Sequence, residues 1–528
     1  MKERNLEART LPLVLTSLAD EAPDRILMSD ELGNLTRAKA VISAGRVRSG
    51  LATLGVSKGD CVAIMMGNSR AFIESWFGCA FLGAVEVPIN PDERGERLVH
   101  VLNHSQSRVA IVDVECLHEL ERRQDQLESL QRLVVVGDGR SPAFDCLTFD
   151  ELRASKADVD PNAATFADPV AVMYTSGSTG PAKGAVLSHA HHFANGLQPA
   201  SLFDIRAEDV VFVCLPLHHN MAQGYGVWPA LIGGARIRLE AKFDYRQFWL
   251  QVRAARATVW PFVGAMLPLL LKQPPAPNDL DNQLRVAYGV PIPASLQRDF
   301  ESRFRVDLVH CYGSTEATIV TWNVGPSSVV GSAGAPLSEY EVRIHDEWDR
   351  PMDVETVGEI CIRPREPYSM FSGYFRDAER TVAVWRNLWF HTGDRGRLDP
   401  AGNLWFADRI GDSIRRMGVA ISAYEVENAL LAHPQVRLAA AFGVPSVLTE
   451  EELMVAVVLQ PNEELSAEAL RAWCEANLAP RAVPRYIEFV SELPMTPTGK
   501  IEKYRLRIRG VTSDTNDARA EPGAKPSD

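Results

Sequence analysis

The chain has no Cys-x-x-Cys pair, no excess of basic residues and no apolar run long enough to span a bilayer. Its eight cysteines, at positions 61, 79, 116, 146, 214, 311, 361 and 474, are scattered. Such spacing suggests neither a zinc ribbon nor a disulfide framework, and reduced thiols in a cytoplasmic protein are the simplest expectation. Sixty-eight acidic residues against 55 basic ones give a net charge of −13, which argues against a nucleic-acid partner. Leu11–Leu18 is apolar but interrupted by Pro12, Thr16 and Ser17 and followed by acidic residues. It is too short for a signal or membrane segment, and no other window approaches spanning length, so no membrane span is expected. With 46% hydrophobic and 23% charged residues over 528 positions, the composition is that of a globular protein of two or more domains.

What the chain does have is Tyr174–Val186, YTSGSTGPAKGAV. It follows PVAVM, a β-branched run that reads as a strand, and precedes SHAHHFANGL, which can begin a helix capped by Ser188. Glycine permits the close backbone approach that lets N–H groups converge on an anion. Ser176, Ser178 and Thr179 add hydroxyl donors, and Lys183 adds a mobile charge. The reading is a loop for nucleotide phosphates. It is not a Walker A loop, because Lys183 lies three residues after Gly180 and is followed by Gly184. A Gly/Ser linker is the bland alternative, but linkers are rarely bracketed by a strand and a capped helix.

Helix and strand patterns alternate on both sides of this loop. Leu35–Leu54 (helical, ending at Gly55), CVAIMM, a helix from Asn68 as cap, RLVHVLNHSQ, RVAIVDV and QRLVVVGDG come before it. VVFVCLPL, GYGVWPALIGG, ARIRLE, FWLQVRAARA, TVWPFV, LPLLLKQ, LRVAYGV, SLQRDFESRF and DLVHCYGST follow. Such alternation predicts two doubly wound α/β lobes with ligands at the carboxyl ends of strands. After about residue 325 short alternating strands predict a small antiparallel barrel, and from Asp412 an α+β pattern returns, with Ser466 capping a helix. The expected organisation is an N-terminal domain over 1–408, a boundary at 409–411, a C-terminal domain over 412–510 and a disordered tail over 511–528.

The loop pattern [YT]-[ST]-S-G-[ST]-T-G-x-x-K-G resembles the signature of the adenylate-forming superfamily of acyl-CoA synthetases, adenylation domains and firefly-type luciferases. Further stretches match in order: LPLHHN (215–220), AYGVP (287–291), CYGSTEA (311–317), HTGD (391–394), ADRIGDSIRRMGVAIS (407–422) and PMTPTGKIEK (494–503). The scaffold around AKFDYRQFWLQVRAARATVWPFV is most similar to crotonobetaine/carnitine-CoA ligases.

The resemblance implies that ATP is bound by Thr175, Ser176, Gly177, Ser178, Thr179, Gly180, Lys183, Gly289, Val290, Tyr312, Gly313, Thr315, Asp394, Arg409 and Lys500. It further implies that Glu316 and Thr179 hold Mg²⁺, Tyr312 stacks on adenine, Asp394 takes the ribose diol, and Lys500 is the catalytic lysine. His219, Met221, Tyr225, Phe262, Val263, Gly289 and Ile319 line an acyl pocket, His219 as its gate, with Tyr225 or Trp260 available to face a cation. His218 with the His189–His192 cluster is the metal-site alternative. Arg415, Met417 and Gly418 would lie on the coenzyme A side. The resemblance also makes 409–411 a hinge for a mobile α+β C-terminal domain; at the hinge position, where relatives carry Asp or Lys, this chain has Gly411.

The implied reaction joins a carboxylic acid to CoA through an acyl-adenylate, releasing pyrophosphate and then AMP. A stand-alone enzyme loading a carrier protein, an enzyme of one half-reaction, and a nucleotide-binding protein without ligase activity are the rivals. The acid's identity and a homodimer stay open at this stage.

Overall fold

A computed structural model describes residues 5–175, 182–292, 294–325, 328–410, 414–416, 419–446, 451–495 and 501–518. Two large sheets carry the N-terminal part. The first has seven strands in the order Asp145–Thr148, Arg132–Val136, Val109–Asp113, Cys61–Met65, Val85–Ile89, Pro169–Thr175, Lys183–Ser188. All neighbours are parallel except the last pair. Cys61–Met65 and Val85–Ile89 are buried at every position, as parallel strands covered on both faces must be.

The second sheet has nine strands, with Thr318–Trp322, Asp307–Ser314, Val286–Val290, Val259–Val263, Val210–Val213 and Arg236–Leu239 in succession. Its far edge is supplied by Ile26–Asp30, which runs parallel to Arg236–Leu239, and by Gly33–Thr36. The first residues of the chain therefore complete the second sheet rather than the first, a crossover that local periodicity cannot report. The alternating pattern otherwise falls where expected. A helix over Arg37–Thr53 is capped by Thr36, and one over Ala467–Asn477 by Ser466.

Three expectations are corrected. Asn68 does not cap the helix Arg70–Leu82; Ser69 does, accepting from the Phe72 N–H. Asn68 instead donates to the carbonyls of Leu215 and Glu240 and accepts from the Leu217 N–H at 2.7 Å, pinning the first lobe to the second beside LPLHHN. The stretch before Ser188 is not loop: Lys183–Ser188 is a strand antiparallel to Pro169–Thr175, with Thr175 opposite Lys183. Residues 176–181 of the expected phosphate loop lie outside the described set, and Ser188 caps the helix His189–Leu202 one strand further on. The third correction is the tail. Residues 511–518 fold back, with Asn516–Asp517 pairing against Tyr486–Phe489 and Asp517 taking a two-pronged ion pair from Arg485, both contacts at 2.8 Å. Residues 519–528 lie outside the described set.

The small antiparallel unit is a five-stranded sheet built from Tyr340–His345, Gly358–Pro364, Trp385–Arg386, Trp389–Leu398 and Leu404–Arg409. Beyond it, Val436–Pro445, Glu451–Leu459, Tyr486–Phe489 and Asn516–Asp517 form the C-terminal sheet, beside the helix Ala423–Leu431. No described helix is long and apolar enough to cross a membrane.

The interior holds unusual histidines. Burial depresses the rings of His189, His191, His218 and His310 to about 4, from an ordinary 6.5. Unfolded rings titrate near 6.5, so between roughly pH 6.5 and 4 the unfolded chain binds more protons than the folded one. Stability should be full above that window and fall as pH drops through it. Denaturant midpoints at pH 8, 6.5 and 5 test this: a steep loss between the last two is expected, and a flat profile contradicts neutral buried rings.

Candidate active site

The hairpin register places Lys183 at the base of the phosphate loop, on the edge strand of the first sheet. There its ammonium donates to the Tyr374 hydroxyl at 2.6 Å and lies 3.4 Å from Glu316 Oε1. Tyr374 in turn donates to Glu316 Oε1 at 2.9 Å. Glu316 comes from the turn between Asp307–Ser314 and Thr318–Trp322 in the second sheet, so this trio joins the two lobes. Burial opposes the charge on Glu316, but Lys183, with hydrogen bonds from backbone, Tyr374 and Ser314, outweighs it and holds the carboxyl below its ordinary range. The same surroundings push the Tyr374 phenol up, burial first and Glu316 second.

Tyr374 was not found by the sequence reading. Its one local signal is a Gly-Tyr pair after a polar loop, and its role rests on a backbone bridge to Ala185 that only the fold creates.

The second cluster is built by a hairpin. Asp394 on Trp389–Leu398 sits directly opposite Arg409 on Leu404–Arg409. Arg409 Nε donates to Asp394 Oδ1 at 2.8 Å, and the Tyr312 hydroxyl donates to Oδ2 at 2.9 Å. Asp394 is 5% exposed, a fixed carboxylate with acceptor capacity left over on each oxygen. The field of Asp394 is the main cause holding Arg409 above its usual range, and Glu316 contributes to it. Glu316 of the first cluster is therefore near enough to Arg409 of the second to act on its charge. Tyr312 also lies 6.2 Å from the Phe406 ring.

Gly313 earns its place by contact: a Cβ there would lie 2.0 Å from the Thr318 carbonyl oxygen. Thr318 itself takes the left-handed region, with φ of 64°, which a β-branched residue adopts only under local constraint. Its hydroxyl donates to Tyr340 Oη at 2.9 Å.

The acyl-pocket residues divide. Tyr225, on the π-helical turn Gln223–Val227, is 3% exposed and donates to Asn195 Oδ1 at 2.7 Å. Asn195 passes the chain on to Asn220 Oδ1 at 3.2 Å. The backbone of Ile319 and the thiol of Cys311 lie close to the Tyr225 phenol, and Cys311 donates weakly to the Gly289 carbonyl at 3.6 Å. Tyr225, Ile319 and Gly289 are thus brought together. His219 begins the short helix Asn220–Ala222, its ring 4.4 Å from that of His218.

Phe262 is placed otherwise. Along Val259–Val263 alternate side chains face opposite ways. Phe262 turns with Trp260, at 5.1 Å, into an aromatic cluster that includes Phe248 and Phe300. Pro261 faces the 223–227 turn, with Gly226 nearby, and Val263 shares that parity. Phe262 and Trp260 are both fully buried in the core, which removes Trp260 as a partner for a cationic substrate. A Cβ on Gly289 would sit 2.1 Å from the Phe262 carbonyl oxygen, so Gly289 permits strand packing. Phe262→Ala should accordingly cost about 3–5 kcal/mol of stability and leave acid preference in place, whereas Val263→Ala should move the preference. A thermal melt beside an acid panel checks this; a retuned Phe262→Ala enzyme of unchanged stability would contradict it.

Ser176, Gly177, Ser178, Thr179, Gly180, Gly411, Met417, Gly418 and Lys500 lie outside the described residues, as does the side chain of Arg415. Thr175 and Val290 are the last residues of their strands, and Thr315 sits in the turn that carries Glu316. The alternative metal site is not assembled: among the described residues His218 and the His189–His192 cluster form no group at ligand distance.

Comparisons with known proteins agree with this geometry. The family model described as AMP-binding enzyme matches residues 15–375, and that of the AMP-binding enzyme C-terminal domain matches 425–500. A crotonobetaine/carnitine–CoA ligase of Salmonella enteritidis PT4 is 33% identical over 464 residues, covering 86% of this chain and 89% of the relative. A benzoate CoA ligase from Burkholderia xenovorans superimposes with a TM-score of 0.84 at 27% identity, over 94% of this chain and 99% of that one. An o-succinylbenzoate CoA synthetase from Bacillus subtilis, in complex with AMP, gives 0.80 at 25% identity over 94% and 98%. The phosphate-loop lysine, the carboxylates at 316 and 394 and these matches lead to one conclusion: the chain belongs to the AMP-binding enzyme family, as an AMP-forming acyl-CoA synthetase.

Proposed function

We propose that this enzyme activates a carboxylic acid with a mainly apolar body of modest size and transfers it to coenzyme A. The observation that carries the reading is the meeting of Lys183, Tyr374 and Glu316 beside Asp394, Arg409 and Tyr312. A cation for phosphates and a carboxylate suited to a ribose diol share one cleft.

In the first half-reaction a carboxylate oxygen of the acid attacks the α-phosphorus of ATP, and the bond to the pyrophosphate oxygen breaks. Asp394 accepts from the ribose hydroxyls, while Arg409 and Tyr312 hold its oxygens in place. Lys183 leaves Glu316 to meet phosphate oxygens, which frees the carboxylate. Glu316, a hard oxygen donor, fits Mg²⁺, with Thr179 as its second expected ligand. When bound, that ion neutralises charge building on the phosphates. Lys500 supplies a further positive charge at the α-phosphate. In the second half-reaction the thiolate of CoA attacks the acyl carbonyl and AMP leaves. The C-terminal domain rotates about 409–411 between the two, carrying Lys500 away and bringing 415–422 to the thiol's approach.

Met221, Val263 and Ile319 present hydrocarbon to the acid, and Tyr225, tied to Asn195, limits its length. The experiment is a panel of aromatic, short aliphatic, long aliphatic and quaternary-ammonium acids, scored for pyrophosphate release with CoA or a carrier protein. Aromatic and short aliphatic acids with CoA should lead. Preference for long chains, or turnover only with a carrier protein, would overturn the reading.

A further inference from the structure

Three buried side chains far apart in sequence meet in the small antiparallel sheet, at a place the ligase reaction does not use. Cys361 and His391 are directly opposite one another on adjacent strands, and His345 enters from the strand on the other side, opposite Glu359. They are 0%, 3% and 2% exposed, respectively. One ligand atom from each lies within 4.8 Å of the others.

Two observations together point to a ligand here. First, both ring nitrogens of His345 are buried with no hydrogen-bond partner among the described residues, as also at His191 and His192, and a buried polar group rarely tolerates this. Second, the neighbours are arranged as supporting groups. Glu359 Oε2 and Arg386 Nη2 both lie 2.8 Å from His391 Nδ1, and Cys361 Sγ lies 3.4 Å from it; in the tautomer whose Nδ1–H donates to Glu359, Nε2 is the ligand. Nε2 is 3.9 Å from Cys361 Sγ and 3.5 Å from Asp349 Oδ1. Tetrahedral zinc bonds of about 2.0–2.3 Å put ligand atoms roughly 3.3–3.8 Å apart, so little movement closes the cluster. A carboxylate on the far nitrogen is the usual support of a metal-bound histidine. Arg386 donates to Asp349 Oδ1 at 3.0 Å and lies 3.4 Å from Glu359 Oε2, so an ion at this place takes over the Asp349 oxygen that the guanidinium now holds. Asp349, 22% exposed, gives the ion its way in from solvent.

We propose that His345, Cys361 and His391, with Asp349 as fourth ligand, form a structural site for a zinc-class divalent metal. Two histidines, one thiolate and one carboxylate suit such an ion better than Mg²⁺ or Ca²⁺, which demand oxygen. On binding, the Cys361 S–H proton passes to solvent as the sulfur–metal bond forms, so affinity rises with pH. The site bears on the expected nucleotide site through one residue: Glu359 also accepts the Gly393 N–H at 3.1 Å, on the strand Trp389–Leu398 next to Asp394. A bound ion would fix that stretch of strand.

The test uses the full chain, without a polyhistidine tag, stripped with chelator and reloaded with Zn²⁺ or Co²⁺ alone. After gel filtration the protein should keep about one equivalent of metal, and the cobalt form should show a thiolate-to-cobalt charge-transfer band in the near ultraviolet. Cys361→Ser should lose that band. Glu359→Gln should weaken binding by about 10–100-fold, and His345→Gln, a near-isosteric change that keeps the fold testable, should abolish stoichiometric retention. Metal retained equally by wild type and His345→Gln would be adventitious binding only and would overturn the proposal, as would a cobalt form without the band. These readouts do not depend on ligase turnover.

Discussion

Glu316→Gln should lower pyrophosphate release by about 10²–10³-fold, the scale for removing one fixed charge-stabilising group from a transition state. Glu316 is 7% exposed and compensates Lys183 at 3.4 Å. A neutral amide there keeps the shape but removes both the oxygen charge for Mg²⁺ and the counter-charge that parks Lys183. Asp394→Asn should fall similarly in kcat/KM for ATP, because an NH2 donor replaces one of the two oxygens that accept from Arg409 and Tyr312 and are assigned to the ribose diol. Tyr374→Phe separates the trio from a mere surface contact. It removes the hydroxyl between Lys183 and Glu316 and should cost about tenfold, the scale of one hydrogen bond to a charged group. Steady-state kinetics with saturating acid decides the matter; wild-type pyrophosphate release in Glu316→Gln would remove that residue from the site.

How much of this was readable beforehand depends on whether a feature is local. The PVAVM strand, the Ser188 and Ser466 caps and the alternation of the two lobes are written in neighbouring residues, and the fold keeps them. Lys183–Ser188 carries no strong strand pattern, and becomes a strand because Pro169–Thr175 pairs with it. VWPFV is apolar at every position, so nothing local said which parity faces the pocket; the helices packed on Trp260 decided it. The 511–518 segment looks like a polar tail until Arg485 supplies a partner for Asp517. Asp394 and Arg409 were named separately by resemblance, and only the hairpin register makes them one unit.

Lys500→Ala should divide the reaction in two. Its ammonium is assigned to the charge that gathers on the α-phosphate, so the variant should lose acyl-adenylate formation, by 10²-fold or more on the same scale. Given synthetic acyl-adenylate and CoA, it should still make thioester at close to the wild-type rate. Gly411→Pro should fail in the opposite half. Glycine tolerates torsions that other residues resist, and proline fixes φ near −65°, so a hinge that needs two conformations would be held in one. Equal loss of both halves in Lys500→Ala, or no loss in Gly411→Pro, would contradict domain alternation.

The most direct measurement follows the nucleotide. With ATP, an accepted acid and no CoA, the enzyme should form enzyme-bound acyl-adenylate and pyrophosphate in a single turnover. Adding CoA should release AMP and thioester in equal amounts, with no ADP. Formation of ADP, or CoA-dependent turnover without pyrophosphate, would contradict the account at its centre.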